Sequence, residues 1–210
     1  MFCPFFFKFS LFDPLAKYIL GLENSNPQEP QRKKHSRFVV RLDPDFSCST
    51  IKIKEHQAGL NRMYFGVTGE GKALANSQLV QDRAYFEVKV TKPGSIGIGV
   101  SKNTQEHLKQ RVGEDSESWG VVLSKASHKV KEGTVIGCMF DQSDFPAVVS
   151  YFIDEEVLEG TKVTGMRGPV VPAISLHDSA EVEVMFDSQL LEKSPPSGFS
   201  PIIFSQNFMF

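Results

Sequence analysis

With 210 residues, 40% of them hydrophobic and 23% charged, the chain is long enough to bury one generous core. A formal net charge of −2 supplies no global attraction to nucleic acid, so a duplex-binding role carried by overall charge is excluded and "RKKHSR" at 32–37 reads as a solvated segment. The cysteines, Cys3, Cys48 and Cys138, are odd in number and lack metal spacing. No disulfide framework, metal site or cofactor is therefore expected, and the compartment expected is a reducing one, cytoplasmic or nuclear.

In chain order, the first segment is "MFCPFFFKFSLFDPLAKYILGL". Lys8, Asp13, Pro14 and Lys17 interrupt its apolar run, which stays short of a membrane span, and it lacks the basic start and small-residue cleavage pattern of a secretory signal. The spacing predicts a short helix with Asp13 as N-cap and Pro14 in the first turn, and Leu15, Tyr18, Ile19 and Leu22 on one face. Two readings of this arm stand: packing on the domain or on a second copy of it, or a membrane-surface contact aided by acylation of Cys3. "NSNPQEPQRKKHS", 24–36, reads as a linker, giving an arm over 1–36 and one domain over 37–210 that includes a tail from 188.

Ten short runs rich in β-branched and aromatic residues then follow, separated by Gly, Pro, Asn and Asp: "RFVVRL" (37–42), "STIKIKE" (49–55), "RMYFGV" (62–67), "AYFEVKV" (84–90), "SIGIGVS" (95–101), "SWGVVL" (118–123), "TVIGCMFD" (134–141), "AVVSYFI" (147–153), "PVVPAISL" (169–176) and "AEVEVMF" (180–186). Several alternate with period two, as strands with one wet face do; Val182 and Val184 oppose Glu181 and Glu183. The only helix candidate in the body is "NTQEHLKQ", 103–110. "GSIGIGVSK", 94–102, has the glycines of a phosphate loop, yet Val100 stands where the lysine is required. Ile96, Ile98 and Val100 alternate instead, so the stretch reads as a strand joined to "AYFEVKV" as a hairpin through Pro93-Gly94. Gly97 and Gly99 then mark a close approach by a neighbour. Cys138, inside "TVIGCMF", reads as a buried, inert thiol, and the only tryptophan, Trp119, as a core residue of its strand.

The order of these segments resembles the successive signatures of PRY/SPRY (B30.2-like) domains, from "RFVVRLDPDFSCSTIKI", with its Leu-Asp-Pro turn, through "VGEDSESWGVVL" and "VVSYFID" to "AEVEVMFD". The resemblance implies an all-β fold, a bent sandwich of two antiparallel sheets of jelly-roll type, used as a protein-interaction scaffold without catalytic activity. It also implies that a short segment of a partner protein is read by loops 66–76, 103–116 and 176–179 at one end. Carried over residue by residue, the candidate contacts are Gly69, Glu70 and Lys72 in the first loop, Leu108, Arg111, Glu114 and Asp115 in the second, and Leu176, His177, Asp178 and Ser179 in the third.

Competing chemistry is weakly represented. His177, Asp178 and Ser179 are sequence neighbours on what reads as a polar hairpin turn, whereas a catalytic triad is defined by spatial arrangement. "DQSD", 141–144, lacks the remaining ligands of a Ca²⁺ loop, and His35, His56, His107, His128 and His177 show no metal spacing. The alternative function is a glycan-binding, lectin-like sandwich, for which Tyr64, Phe65 or Phe145 would have to offer an exposed ring.

Overall fold

The computed structural model describes residues 39–59, 62–128, 130–154 and 156–205, so the helix expected near Asp13 and the rest of the arm lie outside the described residues. Within them run β1 (Leu42–Ser47), β2 (Lys52–Gln57), β3 (Met63–Thr68), β4 (Gly71–Ala75), β5 (Arg83–Lys92), β6 (Ser95–Ser101), β7 (Ser118–Ser124), α1 (Lys125–His128), β8 (Val135–Asp141), β9 (Val148–Ile153), β10 (Glu156–Val157), β11 (Val171–His177), β12 (Glu181–Met185) and β13 (Ser200–Pro201). They form two sheets. The smaller has the order β1-β4-β11-β6-β7, and the larger β10-β9-β8-β5-β12-β3-β2, with β13 beside β5. Every pairing is antiparallel except the short β13–β5 contact.

Alternation does the sorting. On β12, Val182 and Val184 turn into the core while Glu181 and Glu183 stay half-exposed. The core between the sheets gathers Phe65, Val67, Phe86, Val88, Ile96, Ile98, Val100, Ile136, Tyr151, Ile174 and Phe186, and each such side chain contributes about 1.5–3 kcal/mol on full burial. Cys138 lies fully buried among them, and burial pushes its thiol far above the ordinary range, so it stays protonated and inert. Trp119 packs against this core from the edge strand β7. The β6 glycines do mark a close approach. A Cβ at Gly97 would lie 2.2 Å from Ser175 Oγ, and one at Gly99 would lie 2.1 Å from the Trp119 carbonyl oxygen.

The structure corrects four expectations. The Pro93-Gly94 and Asp178-Ser179 turns are corners rather than hairpins, because β5 and β12 belong to the larger sheet and β6 and β11 to the smaller. A tight turn carries the same residues whether the chain returns beside itself or crosses to the facing layer. The first strand begins at Leu42 and runs through the expected Leu-Asp-Pro turn, with Pro44 tolerated because β1 is an edge. "GKALA", 71–75, is a strand the sequence concealed, since β4 is buried on both faces and so shows no alternation. Residues 103–110 form turns rather than a helix: His107 is left-handed (φ 56°), and the Leu108 carbonyl accepts from Lys72 N–H at 2.7 Å instead of closing a helical turn.

The tail is bound to the larger sheet by a short strand and by a buried carboxylate. β12 covers only the Glu87–Lys92 half of β5, which leaves Ala84 and Tyr85 to pair with Ser200 and Pro201 of β13. Glu87 is fully buried beneath the tail. It accepts from Tyr85 Oη–H (2.8 Å), Glu192 N–H (2.7 Å) and Lys193 N–H (3.1 Å), while Lys89 pairs with Glu192 at 2.7 Å. The Arg83 guanidinium lies 5.8 Å from the centre of the Phe199 ring.

Burial pushes the Glu87 carboxyl above its ordinary range, against the opposing pull of the Tyr85 hydroxyl and the two tail amides. The folded chain therefore holds this proton more tightly than the unfolded one, so the stability it contributes falls as pH rises from about 4.3, the ordinary glutamate value, through the raised folded value. Glu87→Ala strands a buried hydroxyl and two amides, and is expected to cost about 2–3 kcal/mol in urea denaturation and to speed proteolysis at Lys193. The gap between wild type and variant should be wider at about pH 4 than at neutral pH; an unchanged urea midpoint would contradict this account of the tail.

Candidate functional site

Three crossings between the sheets, at Gly69–Glu70, Pro93–Gly94 and Asp178–Ser179, gather at one end of the sandwich. The space there is tight. Gly69 (φ 99°) would place a Cβ 2.1 Å from the Thr50 carbonyl oxygen, and Gly94 would place one 2.7 Å from Ala180 N. Asp178 and Ser179 are both left-handed, with φ of 55° and 58°, and the reversal closes through Ala180 N–H to the His177 carbonyl at 3.1 Å. Non-glycine residues in this region are strained by steric contact with their own backbone.

The 103–117 loop leaves β6 at the opposite end and folds back over the outer face of the smaller sheet. Val112 is fully buried there with Leu74, Val171 and Ala173, and Phe46 and Leu108 pack around them. The Val112 amide donates to Ser175 Oγ at 3.0 Å. What fastens the loop is a buried charge. Lys72, only 1% exposed, directs its ammonium to the Asp115 carboxylate and to Ser118 Oγ at 3.2 Å. Asp115 also accepts from Ser118 Oγ–H (2.6 Å) and Glu117 N–H (2.8 Å), and Ser118 Oγ accepts from Gly113 N–H at 2.9 Å. Burial would raise the Asp115 carboxyl, but Lys72, Ser118 and the Glu117 amide together hold it below the ordinary range.

The fold brings all three predicted loops into one rim. Arg111 bridges the second and third, with Nη1 3.4 Å from Glu114 and Nη2 4.0 Å from Asp178. Glu70, Glu114, Asp178 and Ser179 are exposed, and Leu108, Arg111 and His177 are half-buried. Arg111 Nε and His177 Nδ1 are buried at the atom level without a hydrogen-bond partner among the described residues. As direct contacts, Lys72, Asp115 and Leu176 are corrected: Lys72 and Leu176 are buried in central strands, and the Asp115 carboxylate is occupied by Lys72. They hold the rim rather than present it. The sequence reading missed Ser118 and Ser175, which tie the loop down; the lone lysine inside "GKALA" was the available signal that a carboxylate had to be found nearby.

The competing chemistries also take a place in the structure. Asp141 of the "DQSD" turn accepts from Arg83 Nε (2.9 Å) and from Ser143 N–H (2.9 Å), so its oxygens serve the turn. Of the rings considered for a sugar, Phe65 is fully buried and Tyr64 is stacked on His56 at 4.8 Å between centroids. Phe145 is fully exposed, at the other end of the sheet.

Lys72→Met would leave the Asp115 carboxylate buried without its cation, and is expected to destabilise the domain by about 3–5 kcal/mol, most of it recovered in Lys72→Met/Asp115→Leu. Because the folded Asp115 carboxyl lies below its unfolded value, its stabilisation is complete above about pH 4 and is lost as pH falls through the depressed value. Urea titrations of wild type and both variants across that range check the sign; equal midpoints for wild type and Lys72→Met would refute the assignment.

The SPRY domain family model matches residues 83–189. SPRY domain-containing protein 7 of Gallus gallus is 28% identical over 153 residues, covering 67% of this chain and 74% of that protein; its Homo sapiens counterpart is 27% identical over the same coverage. Among solved structures, a human SPRY domain aligns at 18% identity with a TM-score of 0.48, covering 65% of this chain and 97% of that one. The SPRY domain of human HERC1 aligns at 16% identity and a TM-score of 0.45, covering 72% and 100%. SPRY domains are in general protein-interaction modules. With the family signature spanning β5 to the end of β12 and two stacked antiparallel sheets carrying it, this chain belongs to the SPRY domain family.

Proposed function

We propose that this chain is a non-catalytic interaction module of a reducing compartment, one that binds a short, extended segment of a partner protein along the rim made by residues 69–70, 108–114 and 177–179. The observation that supports it most is the bridge at Arg111, which links the second and third loops above the buried Lys72–Asp115 pair. A pre-organised surface loses little freedom on binding. Leu108 offers an apolar floor, and Glu70, Glu114 and Asp178 give the rim an acidic edge suited to basic or amide donors. Arg111 and His177 stand half-buried on this rim, where a guanidinium and an imidazole can meet carbonyl oxygens or amide hydrogens of a bound backbone.

The test is to select peptides from a random display library on the full chain, then measure their affinity for wild type and for Leu108→Ala/Arg111→Ala/His177→Ala. A loss of at least about tenfold is expected, since hot-spot truncations commonly exceed 1.4 kcal/mol. Unchanged affinity of every selected peptide would reject this rim.

A further inference from the structure

At the end of the sandwich opposite the rim lies an open groove of about 470 Å³, a volume within the range of pockets that enclose drug-sized ligands. Val40 lines it just before β1, Met63 at the start of β3, Phe186 just after β12, and Ile203 just after β13. One short stretch of chain fixes both walls. Asn76 Nδ2 donates to the Val39 carbonyl (3.1 Å), and Asn76 Oδ1 accepts from Arg41 N–H (2.9 Å). Five residues on, Gln81 Nε2 donates to the Pro201 carbonyl (3.0 Å), and Gln81 Oε1 accepts from Ile203 N–H (2.8 Å). A groove whose walls are tied in this way is preformed, so filling it orders few further groups of the domain.

The chain itself leads into this groove. Ser77, fully buried, donates its hydroxyl to the Ile203 carbonyl (3.2 Å) and accepts from Ser205 N–H (2.8 Å). The point from which residues 206–210 depart is therefore pinned beside the groove wall. Those residues read Gln-Asn-Phe-Met-Phe and lie outside the described residues. Phe208 is four residues beyond Phe204 of the lining, a span of at most about 14 Å, and Asn207 between them is of a type that reverses a chain readily.

The composition of the segment matches the lining. Val40, Met63, Phe186 and Ile203 make an apolar surface on which Ile203 is left 60% exposed, while Asp187 and Ser188 add polar groups, and the Asp187 carboxylate accepts from Gln189 N–H at 2.9 Å. Two phenyl rings and a thioether suit the apolar part. The side-chain amides of Gln206 and Asn207 are donors for the polar part, and no charged side chain in the segment would be stranded by burial. A ligand tethered this close to its site also acts at an effective concentration on the order of millimolar, which lets a weak contact persist.

We propose that residues 206–210 fold back into this groove and seat the rings of Phe208 and Phe210 against Met63, Phe186 and Ile203. The chain thus occupies in cis an apolar site that a segment of another protein reaches only by displacing it.

Nuclear Overhauser spectra of the full chain, labelled on the methionine methyls and the phenylalanine rings, test this, with Met63→Leu identifying the Met63 methyl. Wild type is expected to show cross-peaks from that methyl to rings that vanish in Phe208→Leu/Phe210→Leu, while the Met139 methyl on β8 and the far-ultraviolet spectrum stay unchanged. Survival of every Met63 ring contact in the double variant would overturn the proposal. So would persistence of the lost cross-peaks in a mixture of methionine-labelled and phenylalanine-labelled wild-type chains, which would give the groove to a second copy. Neither result bears on peptide binding at the rim.

Discussion

The buried ion pair between Lys72 and Asp115 is the constraint on which the candidate surface depends. An ammonium group inside a central strand is tolerated only with a carboxylate and enough further hydrogen bonds to replace water. Here Ser118 and the backbone amides of Gly113 and Glu117 complete that shell. The need of one lysine for a partner thus folds a fifteen-residue connection, 103–117, back across the outer face of the smaller sheet. Besides this pair, the stretch around Leu108 and Arg111 is held by the Leu108 carbonyl on the Lys72 amide, the Val112 amide on Ser175, one apolar cluster and exposed ion pairs, the last of which are worth little.

Corner turns supply the second constraint. Crossing between layers at Gly69–Glu70, Pro93–Gly94 and Asp178–Ser179 brings segments distant in sequence to one edge, where backbone crowds backbone. The left-handed Asp178 and Ser179 sit at this edge, and strained residues of this kind persist only where their surroundings over-determine them. The opposite end is built differently. There the tail, held by Glu87 and by β13, finishes the larger sheet beside β5 and forms one wall of an apolar groove. A tightly closed rim and a tail-walled groove thus occupy the two ends of one small domain.

Much of the architecture was legible without coordinates, and the reason is periodicity. Strands with one wet face, such as β12, declare themselves through Val182 and Val184 against Glu181 and Glu183, and the glycines of β6 announce a close neighbour before that neighbour is known. The reading failed where a strand is covered on both sides. In β4 no alternation survives, and its lysine, which looked like a loop residue reaching for a ligand, is among the most buried side chains. It failed again at the turns, because Pro-Gly and Asp-Ser reverse the chain equally well within a sheet or between sheets.

The rim shows the same division. Its three loops were named from the order of motifs, and eight of the eleven residues proposed for it do reach the surface or its half-buried floor. Lys72, Asp115 and Leu176 do not, since exposure is a property of what packs above a residue and no local pattern carries it. Residue order alone thus determined that this chain forms short strands, because period-two burial and turn chemistry are local, and the order of its motifs carried the resemblance to SPRY domains and the two layers it implies. Only the tertiary structure decided which turns cross between layers, which charge is satisfied internally and which ring is left outside, because each of those depends on groups brought together from far along the chain.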